Sequence, residues 1–94
     1  MPEMLFRVRW PDASVSECYS PSLVIKDYLA VGERYPLAVF VEKSRTALTI
    51  ASERVRAKYG FACSAAADQM ARIDAQAERF RAQPDAVVTV EAFL

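Results

Sequence analysis

The run from Tyr35 to Cys63, YPLAVFVEKSRTALTIASERVRAKYGFAC, constrains this chain more than any other feature. Apolar and small residues recur at three- and four-residue steps through Leu37, Phe40 or Val41, Ser44, Ala47 or Leu48, Ala51 and Val55, the period of one helical face. The stripe is narrow, as a core-facing helix requires, and Lys43, Arg45, Glu53, Arg54 and Arg56 fall mostly off it. Pro36 suits the first helical position, where its missing N–H is no loss and its φ is already helical. Lys58 lies in the last turn, where a cation complements the helix dipole, and Gly60 supplies a left-handed stop. At ~1.5 Å per residue such a helix is roughly 33 Å long, so the rest of a small domain must fold against it.

On its N-terminal side, Met4, Phe6, Val8 and Trp10 alternate with Leu5, Arg7 and Arg9, the period of a half-buried strand. Pro11-Asp12-Ala13 reads as a turn. Val15 to Tyr19 then returns as the more polar strand of a hairpin, with Val15, Glu17 and Tyr19 on one face and Ser16 and Cys18 on the other, and is placed at a sheet edge. Ser20 is expected to cap a short helix, Ser22 to Leu29, with Pro21 at its first position, and Val31 to Arg34 is a glycine-containing turn.

Beyond the long helix, Gly60-Phe61-Ala62 turns the chain and Ser64 is expected to cap a last helix, Ala65 to about Phe80. Its buried stripe is Ala66, Met70, Ile73, Ala77 and Phe80, and the two helices form an αα-hairpin. Val87 to Phe93 is a third strand, with Val88, Val90 and Ala92 opposed to Val87, Thr89, Glu91 and Phe93, and is expected beside the first strand. The fold class is therefore α+β: a β-hairpin, a short helix, a long αα-hairpin and a C-terminal strand, giving a small three-stranded sheet with helices on one face.

Composition narrows the function more by exclusion than by indication. The chain has 94 residues, one domain with room for a modest core. Its 12 basic and 12 acidic residues cancel, which argues against a nucleic-acid partner and leaves little electrostatic barrier to a homodimer. The chain contains no histidine. The commonest general base and metal ligand is therefore missing, and neither a Ser-His-Asp nor a Cys-His nucleophile can be assembled. Neither catalysis, nor a metal, nor a cofactor is expected. Cys18 and Cys63 form no CxxC pair, which suits free thiols in a reducing cytoplasm. A signal peptide and a membrane span are not expected either.

Four groups of residues invite a sharper reading. Cys18-Tyr19-Ser20 could place a reactive thiol at a strand end near a helix N-terminus, although a buried small residue beside a capping serine is the commoner arrangement. Arg45, Arg54, Arg56 and Lys58 could form a basic edge for a phosphate-bearing ligand or RNA, which Arg7 and Arg9 would extend if the outer sheet face lies nearby, against the ordinary reading of a solvated helix face balanced by Glu42 and Glu53. Arg7 and Arg9, opposite Glu17 or Glu91, would make ordinary cross-strand pairs. If the sheet is uncovered they become an interface or a carboxylate site, with the interface preferred. Tyr28, Tyr35, Tyr59 and Phe61 flank the long helix; they could line a pocket, but more often such aromatics close the ends of a core.

The N-terminal MPEMLFRVRWPD, the CYSPS turn and SRTALTIASERVRAKYGFACSAAADQ resemble a small bacterial family of nitrogen-starvation response proteins encoded beside a nitrilase in a multi-gene cluster. The resemblance spans nearly the whole chain and carries no catalytic residues with it. Ala13 departs from it, since a glycine is expected after Pro-Asp. What the resemblance implies is a context of nitrogen scavenging and cyanide use, with a nitrilase, a radical S-adenosylmethionine protein, an acetyltransferase, a glycosyltransferase and a flavoprotein encoded nearby. In that setting a chain of this size is an accessory component, a homodimer acting with an enzyme of the cluster. It would make contact through Leu5, Arg7 and Arg9 and through the exposed side of the long helix. The alternatives are a small-ligand or peptide carrier, with a pocket near Cys18, Tyr19 and Tyr28, and a thiol-dependent enzyme.

Overall fold

The computed structural model describes residues 3–61 and 63–94. Seven elements follow in order: β1 (Met4–Arg9), β2 (Val15–Ser20), α1 (Ile25–Tyr28), β3 (Arg34–Pro36), α2 (Leu37–Tyr59), α3 (Ser64–Glu78) and β4 (Val87–Phe93). The strands form one antiparallel sheet in the order β2-β1-β4-β3. The class is α+β, and β4 pairs with β1 as expected, but the sheet has four strands and not three.

The strand missing from the sequence reading is β3. It is three residues long and ends in a proline, so it carries no alternation that could be read. Gly32, at φ 85°, turns the chain into it and donates its N–H to Val90 O at 2.8 Å. Tyr35 faces the core beside Val88, and its Oη accepts the Ala30 N–H at 2.9 Å. Pro36 closes the strand in extended conformation, φ −52° and ψ 144°. It therefore precedes the helix and does not open it, and α2 begins at Leu37.

Packing follows the stripes. Phe6, Val8, Trp10, Val88 and Val90 from the sheet meet Phe40, Ala47 and Leu48 of α2 and Met70, Ile73 and Ala77 of α3, all buried. Trp10 stands edge-on to Phe40 at 5.6 Å and stacks on Phe80 at 6.2 Å. The alanines at 47, 51, 66 and 77 are buried along the two helical stripes, where a small side chain lets backbones approach.

Four local expectations are corrected. The short helix runs Ile25–Tyr28 and not Ser22–Leu29, with Val24 before it and no side-chain cap. Ser20 does not cap it: the Ser20 hydroxyl donates to Ser22 O at 2.7 Å, and Ser22 Oγ accepts the Val24 N–H at 3.3 Å. Ser64 is the first residue of α3, not its cap, and Cys63 precedes it; Ala62, assigned to the interhelical turn, lies outside the described residues. Finally, the β1–β4 register shifts between Arg7 and Val8, which pair with Ala92 and Val90. The extra residue, Glu91, makes a β-bulge. The bulge brings Phe93 opposite Phe6 on the core side and turns Ala92 outward beside Arg7, the reverse of strict alternation.

Candidate interaction surface

Helices cover one face of the sheet; the other face presents Leu5, Arg7 and Arg9 of β1, flanked by Val15, Glu17 and Tyr19 of β2 in cross-strand register. Leu5 and Val15 are 40% and 46% exposed, unusual for apolar residues on a strand. Arg7 Nη2 meets Glu17 Oε2 at 3.2 Å, and Arg9 Nε meets Glu91 Oε2 at 2.7 Å, the cross-strand pairs expected from the sequence. Exposed pairs of this kind contribute about 0–1 kcal/mol each, so they order the face more than they stabilise the fold. Arg9 Nη1 also donates to Ala13 O at 3.2 Å, which fixes its guanidinium against the hairpin turn.

The far end of the helical hairpin is a second unpartnered surface. Buried residues of α2 end at Ala51, and none of the residues from Ser52 to Phe61 is buried. The molecule is elongated, 40 × 22 × 17 Å, because a helix of 23 residues outruns strands of at most seven. Past the core it carries Lys58, whose Nζ lies 5.5 Å from the centre of the Tyr59 ring, and then Phe61, tilted against Tyr59 at 6.3 Å. Tyr59 and Phe61 are 53% and 67% exposed. These aromatics were assigned to closing the core or lining a pocket and do neither.

Arg45, Arg54, Arg56 and Lys58 do not make one basic edge. Nine residues are two and a half helical turns, so Arg45 and Arg54 leave α2 on opposite sides. Arg45 Nη2 pairs with Asp74 Oδ1 of α3 at 2.6 Å, while Arg54 Nη1 donates to Ser22 Oγ at 3.0 Å and staples the 20–22 turn. Arg56 lies 3.9 Å from Glu53.

Cys18 does not have the setting that a reactive thiol needs. Cys18 is 2% exposed, burial pushes its thiol up to about 12, and the helix it packs against, α3, meets it through Gln69 and Ile73 and not through its N-terminus. A nucleophilic cysteine needs the opposite: partial exposure and a stabilised thiolate. Tyr19 is held at about 12 by burial first and by the Glu3 carboxylate second, to which its Oη donates at 3.0 Å. Nor do Cys18, Tyr19 and Tyr28 share a pocket. Cys18 lines a groove of about 270 Å³ with Trp10, Gln69 and Ile73; Tyr28 lines a separate one of about 260 Å³ with Val39 and Thr46.

A further concavity, of about 540 Å³, does not follow from the sequence reading. It lies at the hairpin-turn end of the sheet and is lined by Arg9, Trp10, Arg34, Asp85, Val87 and Thr89. The sequence places Arg34 in a glycine-containing turn, and only the pairing of β3 with β4 brings it to this surface. Among the described residues, no group of three or more Cys, Asp and Glu could hold a metal ion, and no helix is long and apolar enough to cross a membrane.

No curated protein and no solved structure matches the chain. The family model described as nitrogen starvation-induced protein NitG matches residues 5–93, and the chain belongs to that family.

Proposed function

We propose that this protein is a non-catalytic, cytoplasmic accessory component of the nitrogen-starvation response that works by docking onto an enzyme encoded in the same nitrilase-containing cluster. The observation that carries the reading is the overhanging helical tip. α2 continues about two turns past Ala51, its last buried residue, and the continuation ends in two exposed aromatics, Tyr59 and Phe61, with Arg56 and Lys58 beside them. Aromatic and arginine side chains dominate interface energetics, and a rigid aromatic anchor on a helix end loses little entropy when it docks. The surrounding cations favour an acidic surface on the partner. The open sheet face, with Leu5 and Val15 exposed among balanced Arg–Glu pairs, suits a second copy of the chain, because the pairs can exchange partners across a twofold axis.

Two measurements test this. The tagged chain should co-purify with a cluster enzyme, and the double variant Tyr59→Ala/Phe61→Ala should lose that enzyme while keeping wild-type stability. Light scattering should give a dimeric mass that Leu5→Glu/Val15→Glu reduces to a monomer. Retention of the enzyme by the tip variant would remove the docking role, and a monomeric wild type would remove the dimer.

A further inference from the structure

We propose that the cleft at the hairpin-turn end of the sheet binds a small oxyanion, a carboxylate or a phosphate, between Arg34 and Arg9 above Thr89. The site lies away from the helical tip and shares Arg9 with the open sheet face, where Arg9 is the cross-strand partner of Val15.

The register builds the site. Thr89 of β4 pairs with Arg9 of β1 on one side and with Arg34 of β3 on the other, and paired residues of antiparallel strands point to the same face. The two arginine backbones therefore stand about 10 Å apart, twice the strand spacing, with the threonine hydroxyl midway. An extended arginine reaches roughly half that span, so both guanidiniums can close on one anion.

The two arginines contribute differently. The Arg9 guanidinium is already held by Glu91 at Nε and Ala13 O at Nη1. Its Nη2 is left over, and its position costs little further ordering on binding. Arg34 makes no side-chain hydrogen bond or ion pair among the described residues, and the Thr89 hydroxyl makes none there either. Arg7, on the same face, is taken up by Glu17. An arginine fork with no partner among the described residues, beside an uncommitted hydroxyl in a cleft of about 540 Å³, is an arrangement suited to bidentate oxyanion recognition.

The lining also bounds the ligand. Two arginines and one aspartate, Asp85, line the cleft, and the volume of about 540 Å³ is that of a small-molecule site. With Glu91 paired to Arg9 at 2.7 Å the site's four charges cancel, so recognition rests on the Arg34 fork and not on net charge, which suits one carboxylate or one phosphate group. Such a site does not suit a polyanionic backbone, in keeping with the zero net charge of the whole chain.

The test is an amide-resolved NMR titration of the full chain at low salt with inorganic phosphate, with acetate, and with chloride as the control. Saturable shifts at Arg34, Val87 and Thr89 with phosphate or acetate are expected, and the stronger of the two gives the ligand class. Arg34→Ala should weaken binding by about tenfold or more and Arg34→Lys by less, since the lysine keeps the charge and loses the fork. Thr89→Val should weaken it as well, and Arg72→Ala, on the helical side, should not. Shifts that follow ionic strength alike in all three salts would overturn the proposal. So would Arg34→Ala binding like the wild type.

Discussion

The backbone N–H of Tyr19 donates to Gln69 Oε1 at 2.9 Å, joining the edge strand β2 to the middle of α3. In the β1–β2 ladder, Tyr19 is one of the residues whose N–H points away from β1, so without Gln69 it would be an open edge donor. Gln69 is 8% exposed and sits on the apolar stripe of α3, where the helical period alone calls for an apolar residue. Gln69→Ala should lower stability by about 1–2 kcal/mol, the cost of leaving a largely buried donor unpaired. It should also add concentration-dependent self-association through the freed edge. Urea midpoints and light scattering read both, and an unchanged midpoint would show that water replaces the bond at no cost.

Ala13 is the one non-glycine residue with positive φ among the described residues, at 70°. The turn is closed by Ala13 N to Trp10 O at 2.9 Å and Trp10 N to Ser14 O at 2.8 Å, a three-residue hairpin loop whose third position is left-handed. A left-handed alanine costs roughly 1–2 kcal/mol, offset in part by the greater unfolded-state freedom of glycine. Ala13→Gly should therefore stabilise the protein by about 0.5–1 kcal/mol, and Ala13→Val should destabilise it. Asp12, which accepts the Ser14 hydroxyl at 2.6 Å and the Ser14 N–H at 3.0 Å, is held below the usual carboxylate range by those bonds, the hydroxyl first. The gain in Ala13→Gly should survive with Asp12 in place.

Cys18 links stability to alkaline pH. The thiol is neutral in both states at pH 7. As pH rises past its ordinary value of 9.0 the unfolded chain loses the proton first, while the folded chain keeps it until about 12. The unfolded state then binds fewer protons, so stability falls with rising pH across that window. Tyr19, raised from 10.0 to about 12, adds to the fall in the upper part. Cys18→Ala should flatten the lower part of the profile. Iodoacetamide at pH 8 should label half-buried Cys63 well before Cys18, and equal rates would contradict the burial described here.

Ser44 lies fully buried in the apolar stripe of α2, and its hydroxyl has no hydrogen-bond partner among the described residues. An unsatisfied buried hydroxyl is a net cost, and alanine is also the better helix former. Ser44→Ala should raise the unfolding free energy by about 1 kcal/mol. A loss instead would reveal a hydrogen bond the serine makes.

The strongly periodic elements were legible because their own residues decide them. The α2 stripe through Phe40, Ser44, Ala47, Leu48 and Ala51, all buried, and the α3 stripe from Ala66 to Ala77 follow from helical spacing and the burial of apolar surface. So do the alternation of β1 and the left-handed Gly60 at φ 84°. The cross-strand partners of Arg7 and Arg9 follow from strand period and charge. What depended on partners distant in sequence was not legible. β3 is a strand only because β4 offers it a ladder, and the Glu91 bulge, which turns Phe93 inward, exists only against β1. The sites divide the same way. Arg9 stood out on a strand face, but Arg34 and Thr89 join it only through the sheet order β2-β1-β4-β3, and Tyr59 and Phe61 become exposed only because the sheet ends before α2 does. Local period sets each element from its own residues, whereas an edge, a bulge or a cleft depends on the arrangement of elements, which the fold decides once the core has closed.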